Sequence, residues 1–104
     1  RPLTPVWIPD ESMEYIHRKH GEHITRQDLM DVMYKQPGNL SIRAAADKHR
    51  ADYLIRGESH SGKKLLICVI LEDETMHKVA EELGLEGDPD DFTSLVYNAW
   101  EVSS

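Results

Sequence analysis

Residues 51–71 read ADYLIRGESHSGKKLLICVIL and admit two folds. Gly57, Gly62 and Lys63 stand at the spacing of a phosphate-binding loop, G-x-x-x-x-G-K-[ST]. Such a loop needs a strand before it and a helix after it, because the helix N-terminus and successive N–H groups hold the phosphates. Here Lys64 replaces the hydroxyl that would bind magnesium, and the apolar run LLICVIL that follows is of strand type. The other reading is a β-hairpin, with strands at ADYLIRGE (51–58) and KKLLICVIL (63–71) and an ESHSG tip that turns through Gly62. The hairpin is adopted, so no nucleotide is expected. Leu54 and Arg56 then share one face of their strand, and Tyr53 and Ile55 the other. Residues 64–71 lack alternation, which makes them a central strand buried on both faces.

Upstream, PVWIP (5–9) is extended because of its prolines. Asp10 is expected to cap a helix from Glu11 to about Lys19, with Met13, Ile16 and His20 on one face and Gly21 ending it. Thr25 caps a second helix, with Asp28 as an imperfect capping-box partner and Ile24 stapled against Leu29. Leu29, Val32 and Met33 point inward, and QPGN (36–39) stops it. LSIR (40–43) begins a strand, whereas AAADKHR (44–50) is ambiguous. Downstream, Glu74 to Leu83 forms an amphipathic helix with Met76, Val79, Ala80 and Leu83 inward and Gly84 after it. GDPDD turns the chain into a last strand at FTSLVYNAWEV (92–102). The expected fold is α+β: two N-terminal helices packed on a small, mostly antiparallel sheet, plus one acidic helix before the last strand.

At 104 residues the chain is one domain. It shows neither an apolar run long enough to span a bilayer nor a signal-peptide pattern, and the lone Cys68 has no partner for an internal disulfide. A cytoplasmic, membrane-free protein is expected, with further residues at either end. The net charge of −7 is unevenly spread. Residues 1–71 hold 11 Lys/Arg against 9 Asp/Glu, whereas residues 72–91 hold 9 acids and one lysine. A mildly basic body thus carries one acidic segment, and the bulk charge does not exclude nucleic acid as a partner of the rest.

His17, His20 and His23 recur every three residues, yet i and i+6 are about 9 Å apart along a helix and Gly21 breaks the helix before His23. No metal site or cofactor is assigned, and His20 is expected to pack at the helix end. A looser basic set, Arg43, Lys48, His49, Arg50, Arg56, Lys63 and Lys64, surrounds Tyr53 and His60. It supplies what a metal-independent ribonuclease needs: a base for the 2′-OH, an acid for the leaving oxygen, and cations for the phosphate.

The order of landmarks KHGEHITRQDLMDVM, RADYLIRGESHSGKKLLICVIL and VYNAWEVSS resembles the BrnT-like toxins of the RelE-type superfamily. Lys19-His20-Gly21 matches that family's helix ending, Arg50 and Tyr53 its Arg-Tyr strand, Gly62-Lys63 its hairpin, and Asn98-Ala99-Trp100 its last motif. Trp100 stands where that motif carries arginine, and the acidic segment 72–91 stands as an insertion. The resemblance implies a toxin-type endoribonuclease neutralised by an antitoxin. Arg56, Lys63 and Lys64 would hold phosphate, His49 would act as base or acid, Tyr53 would position a base or the backbone, and Arg43 and Arg50 would bind RNA. The alternative is a non-catalytic interaction protein. Its acidic segment, through Glu81, Glu82, Asp88 and Asp90, would dock on a basic partner or cover the chain's own basic face.

Overall fold

The run KLLICVI becomes β4 (Lys64–Ile70), the middle strand of the sheet, in a computed structural model that describes residues 3–35, the backbone of 41–44, and 53–102. β4 pairs antiparallel with β3 (Tyr53–Glu58) on one side and β5 (Ser94–Glu101) on the other. Beyond them lie β2 (Ser41–Ala44), antiparallel to β3, and the short β1 (Val6–Trp7), parallel to β5, giving the order β1-β5-β4-β3-β2. Leu65, Ile67 and Val69 face one core cluster, while Cys68 and Ile70 face the other. That two-sided burial is why β4 carries no polar alternation, and each fully buried aliphatic side chain contributes roughly 2–3 kcal/mol. The α+β expectation is met, with helices on both faces of the sheet.

The first cluster lies under α1 (Asp10–His20) and α2 (Arg26–Met33), which bury Met13, Ile16, Leu29, Val32 and Met33 against the sheet. The start of α1 differs from expectation. Its N-cap is Pro9, with no side-chain cap, and the Asp10 carboxylate instead accepts from the Arg26 guanidinium at 2.6 Å. The Pro9 carbonyl already receives the Ser12 and Met13 N–H groups, so the helix begins one residue early. In α2 the capping box is reciprocal: Asp28 N–H donates to Thr25 Oγ1 and Thr25 N–H donates to Asp28 Oδ2.

The second cluster joins Trp7, Cys68, Ile70 and Leu95 to Met76, Val79 and Ala80 of α3 (Asp73–Leu83). Leu83 is 40% exposed, contrary to its expected inward face. Gly84 takes the left-handed conformation (φ 63°), and Leu85 N–H donates back to the Ala80 carbonyl. Leu85 thereby packs against the cluster in place of Leu83. The last strand carries an irregularity: Cys68 pairs with Asn98 but Val69 pairs with Val96, so Tyr97 is extra. Val96 and Ala99 consequently face the first cluster, and Tyr97 and Trp100 pack against the second. Ser12 of α1 donates to the Val96 carbonyl at 2.7 Å, tying the helix to β5.

Gly57, the first glycine of the apparent phosphate loop, has a packing role. A Cβ there would stand 2.6 Å from Val32 Cγ1, so α2 sits directly on the β3 backbone. Gly57→Ala is expected to cost about 1–3 kcal/mol through overpacking, because buried β-branched Val32 cannot swing aside. Chemical denaturation would measure it, and adding Val32→Ala should return part of the loss.

Among the described residues, no helix is long and apolar enough to cross a membrane.

Candidate functional site

The hairpin tip closes as expected, with Ser59 N–H donating to the Lys63 carbonyl, Gly62 N–H to the Ser59 carbonyl, and Gly62 at φ 89°. Two buried carboxylates of α2 clamp it. Asp28 accepts from Ser61 Oγ and Lys63 Nζ, both at 2.8 Å, besides its bond from Thr25 N–H. Asp31 accepts from His60 N–H at 3.0 Å and Gln27 Nε2 at 2.8 Å, with His60 Nδ1 at 3.3 Å. Burial alone would push the Asp28 carboxyl up. The Lys63 ammonium, the Thr25 N–H and hydroxyl, and the Ser61 hydroxyl outweigh that and hold it far below the usual carboxylate range. The Lys63 ammonium therefore belongs to this clamp, whereas the sequence reading has it as a phosphate cation beside Arg56 and Lys64.

Lys64 lines an open cleft of about 630 Å³ between the end of α1, the hairpin tip and the end of β5, together with His20, His23, Gly62, Trp100, Glu101 and Val102. Val102 N–H donates to the Lys64 carbonyl at 2.8 Å, closing the floor just beyond the paired strands. His20 ends α1 with its ring 5.7 Å from the Trp100 ring, tilted by 37°. Burial and then the neighbouring Lys19 charge lower its pKa, so the imidazole is neutral near pH 7 and able to accept a proton. His23 Nε2 lies 3.0 Å from Glu101 Oε1. Gly21 makes room for that ring: it sits at φ 108°, and a Cβ on it would come within 2.8 Å of His23 Nδ1.

The three histidines therefore serve different partners. His17 Nε2 donates to the Ile24 carbonyl at 2.7 Å and bridges the turn between α1 and α2. Among the described residues, no three His, Cys, Asp or Glu side chains gather as a metal-binding group.

Of the residues singled out in the sequence, Arg56 and Lys64 come together on one face of the sheet. The register sets Arg56 opposite Leu66 and Leu66 opposite Trp100, so Arg56 and Trp100 flank half-buried Leu66 in a single cross-strand row. Lys64 lies on the same face, two residues along β4 from Leu66. Tyr53 lies on the opposite face, packed against the cluster under α1 and α2. It therefore does not share a surface with Arg56. Arg43 is on β2, paired with Leu54, and its side chain is outside the described residues. His49 and Arg50, with Lys48, also lie outside them.

The acidic segment occupies the other end of the sheet. Glu81 and Glu82 are exposed on α3, Asp88 caps the short Pro89–Asp91 turn through Asp90 N–H, and Asp90 pairs with His77 at 3.0 Å. The α3 core residues pack with Ile70, whereas the cleft is at Lys64, and the intervening strand is about 20 Å long. The segment therefore does not roof the cleft.

The pairing of His23 with Glu101 and the placement of Trp100 against His20 are not apparent from sequence. The only local signal is the His-Gly-x-His spacing, since Glu101 lies 78 residues from its partner. No protein-family model, curated protein or solved structure matches the chain.

Proposed function

We propose that the chain is a toxin-type endoribonuclease, cleaving RNA by acid–base catalysis in the His20–His23 cleft. The observation that carries this reading is the His23–Glu101 pair, 3.0 Å apart, in the same cleft as a neutral His20 and the Lys64 ammonium. His20 takes the proton of a ribose 2′-OH, whose oxygen attacks the adjacent phosphorus. Lys64 balances the charge that builds on the phosphoryl oxygens. His23, oriented by Glu101, acts as the acid and gives a proton to the departing 5′-oxygen as the P–O5′ bond breaks. The products are a 2′,3′-cyclic phosphate and a free 5′-hydroxyl. The reading keeps the chain beside the BrnT-like toxins it resembles, with an antitoxin as protein partner. The exposed carboxylates of Glu81 and Glu82, away from the cleft, leave a second surface for a basic partner under the interaction-protein alternative.

The test is end-labelled single-stranded RNA, incubated in EDTA beside the same sequence in 2′-deoxy form. Discrete cleavage of the RNA and none of the DNA is expected, with Lys64→Ala slowing it by about 100-fold. Intact RNA, equal cutting of DNA, or cleavage that EDTA abolishes would each refute the reading.

A further inference from the structure

Trp100 stands where the resembled motif carries a cation, yet the fold gives its ring a definite setting. It lines the cleft half-buried, and exposed Arg56 lies in its cross-strand row. Two strand spacings put the Arg56 and Trp100 backbones about 10 Å apart, within reach of an arginine side chain and one nucleotide. Lys64 lines the same cleft. An indole flanked by two exposed cations, in a chain whose net charge is −7, is arranged for a flat ligand joined to anions. An apolar peptide would gain from the ring but make no use of the Arg56 guanidinium, whereas Lys64 stands opposite Glu58 in the register.

We infer that Trp100, with Arg56 and Lys64, forms a stacking subsite for one unpaired nucleobase whose flanking phosphates meet the two cations. The inference rests on the ribonuclease reading and deepens it, because it names the form of the substrate: a single strand with accessible base faces. A duplex keeps its bases stacked on one another and offers no free face to Trp100. Stacking does not use the 2′-OH, so single-stranded DNA binds here without being cleaved. Cleavage and binding therefore report separately.

The experiment is fluorescence anisotropy of a fluorescein-labelled oligodeoxyadenylate of eight nucleotides with the full chain, in low salt. Trp100→Ala is expected to weaken binding roughly 10- to 100-fold, and Trp100→Phe, which keeps an aromatic face, by less than about 5-fold. The same strand annealed to its complement should bind at least about 10-fold more weakly than alone. Thermal melting of both variants shows whether they are folded, and the Phe variant carries the test if the Ala variant is not. Equal binding of wild type and Trp100→Ala, equal binding of duplex and single strand, or no binding by wild type would overturn the subsite. Binding that follows these expectations while RNA stays intact would sink the chemistry and leave the subsite standing. Cleavage that survives Trp100→Ala unchanged would do the reverse.

Discussion

His20→Ala is expected to lower kcat/KM on single-stranded RNA by about 10²–10⁴-fold, the usual worth of a positioned general base. The melting temperature should change little, because His20 is only half-buried at the end of α1. Added imidazole should restore part of the rate to the alanine variant, which a purely structural role would not allow. The pH profile carries a second signature. A base acts only when unprotonated, and burial together with Lys19 lowers the His20 pKa. The acid limb of kcat/KM should therefore fall below the ordinary imidazole value of about 6.5. Removing the neighbouring positive charge with Lys19→Ala makes the imidazolium easier to form, so the limb should move to higher pH. A limb that stays fixed in Lys19→Ala would argue against His20 as the base.

Asp28→Ala is expected to cost about 3 kcal/mol, lowering the melting temperature by roughly 15 °C. The carboxylate is 5% exposed and joins three things at once: the first turn of α2 through Thr25, the hairpin tip through Ser61, and the Lys63 ammonium. Its loss removes one half of the capping box and leaves Lys63, itself partly buried, without its counter-charge. The pH dependence follows from the lowered pKa. In the unfolded chain the group titrates near the ordinary Asp value of about 3.9, so below that value the unfolded state binds the extra proton first. The stabilisation is fully present above about pH 5 and declines as pH falls through 4 and lower. Denaturation midpoints from pH 7 to pH 3 should thus drop more steeply for wild type than for Asp28→Asn, which keeps the side chain's shape without the charge.

The hairpin is legible in the sequence because its evidence is local: Lys64 where a phosphate loop needs a hydroxyl, followed at once by an unbroken apolar run. The capping box of Thr25 and Asp28 is legible for the same reason, since its two partners are three residues apart. What Asp28 does beyond its own turn is not, since Lys63 is 35 residues away and only the docking of β3 on α2 through Gly57 brings them together. The same limit hides the His23–Glu101 pair. The opposite faces of Tyr53 and Arg56 are legible, by contrast, because strand alternation is local and already separates the two side chains. Leu83 fits the helical period of α3, and a left-handed Gly84 hands its place to Leu85, a backbone event that periodicity does not encode. In the sequence Trp100 reads only as a departure from the motif it resembles, because the neighbours that set its surroundings come from α1, β3 and β4.

If one cleft handles a single-stranded phosphodiester, backbone amide shifts of the labelled protein should report it directly as a tetranucleotide is added. The 2′-deoxy form is used, because it cannot be cleaved at a 2′-OH. The expected changes centre on His20, Gly21, His23, Gly62, Lys64, Trp100 and Glu101, with α3 unaffected. Shifts that cluster elsewhere, or none at saturating oligonucleotide, would contradict a nucleic-acid cleft at this end of the sheet.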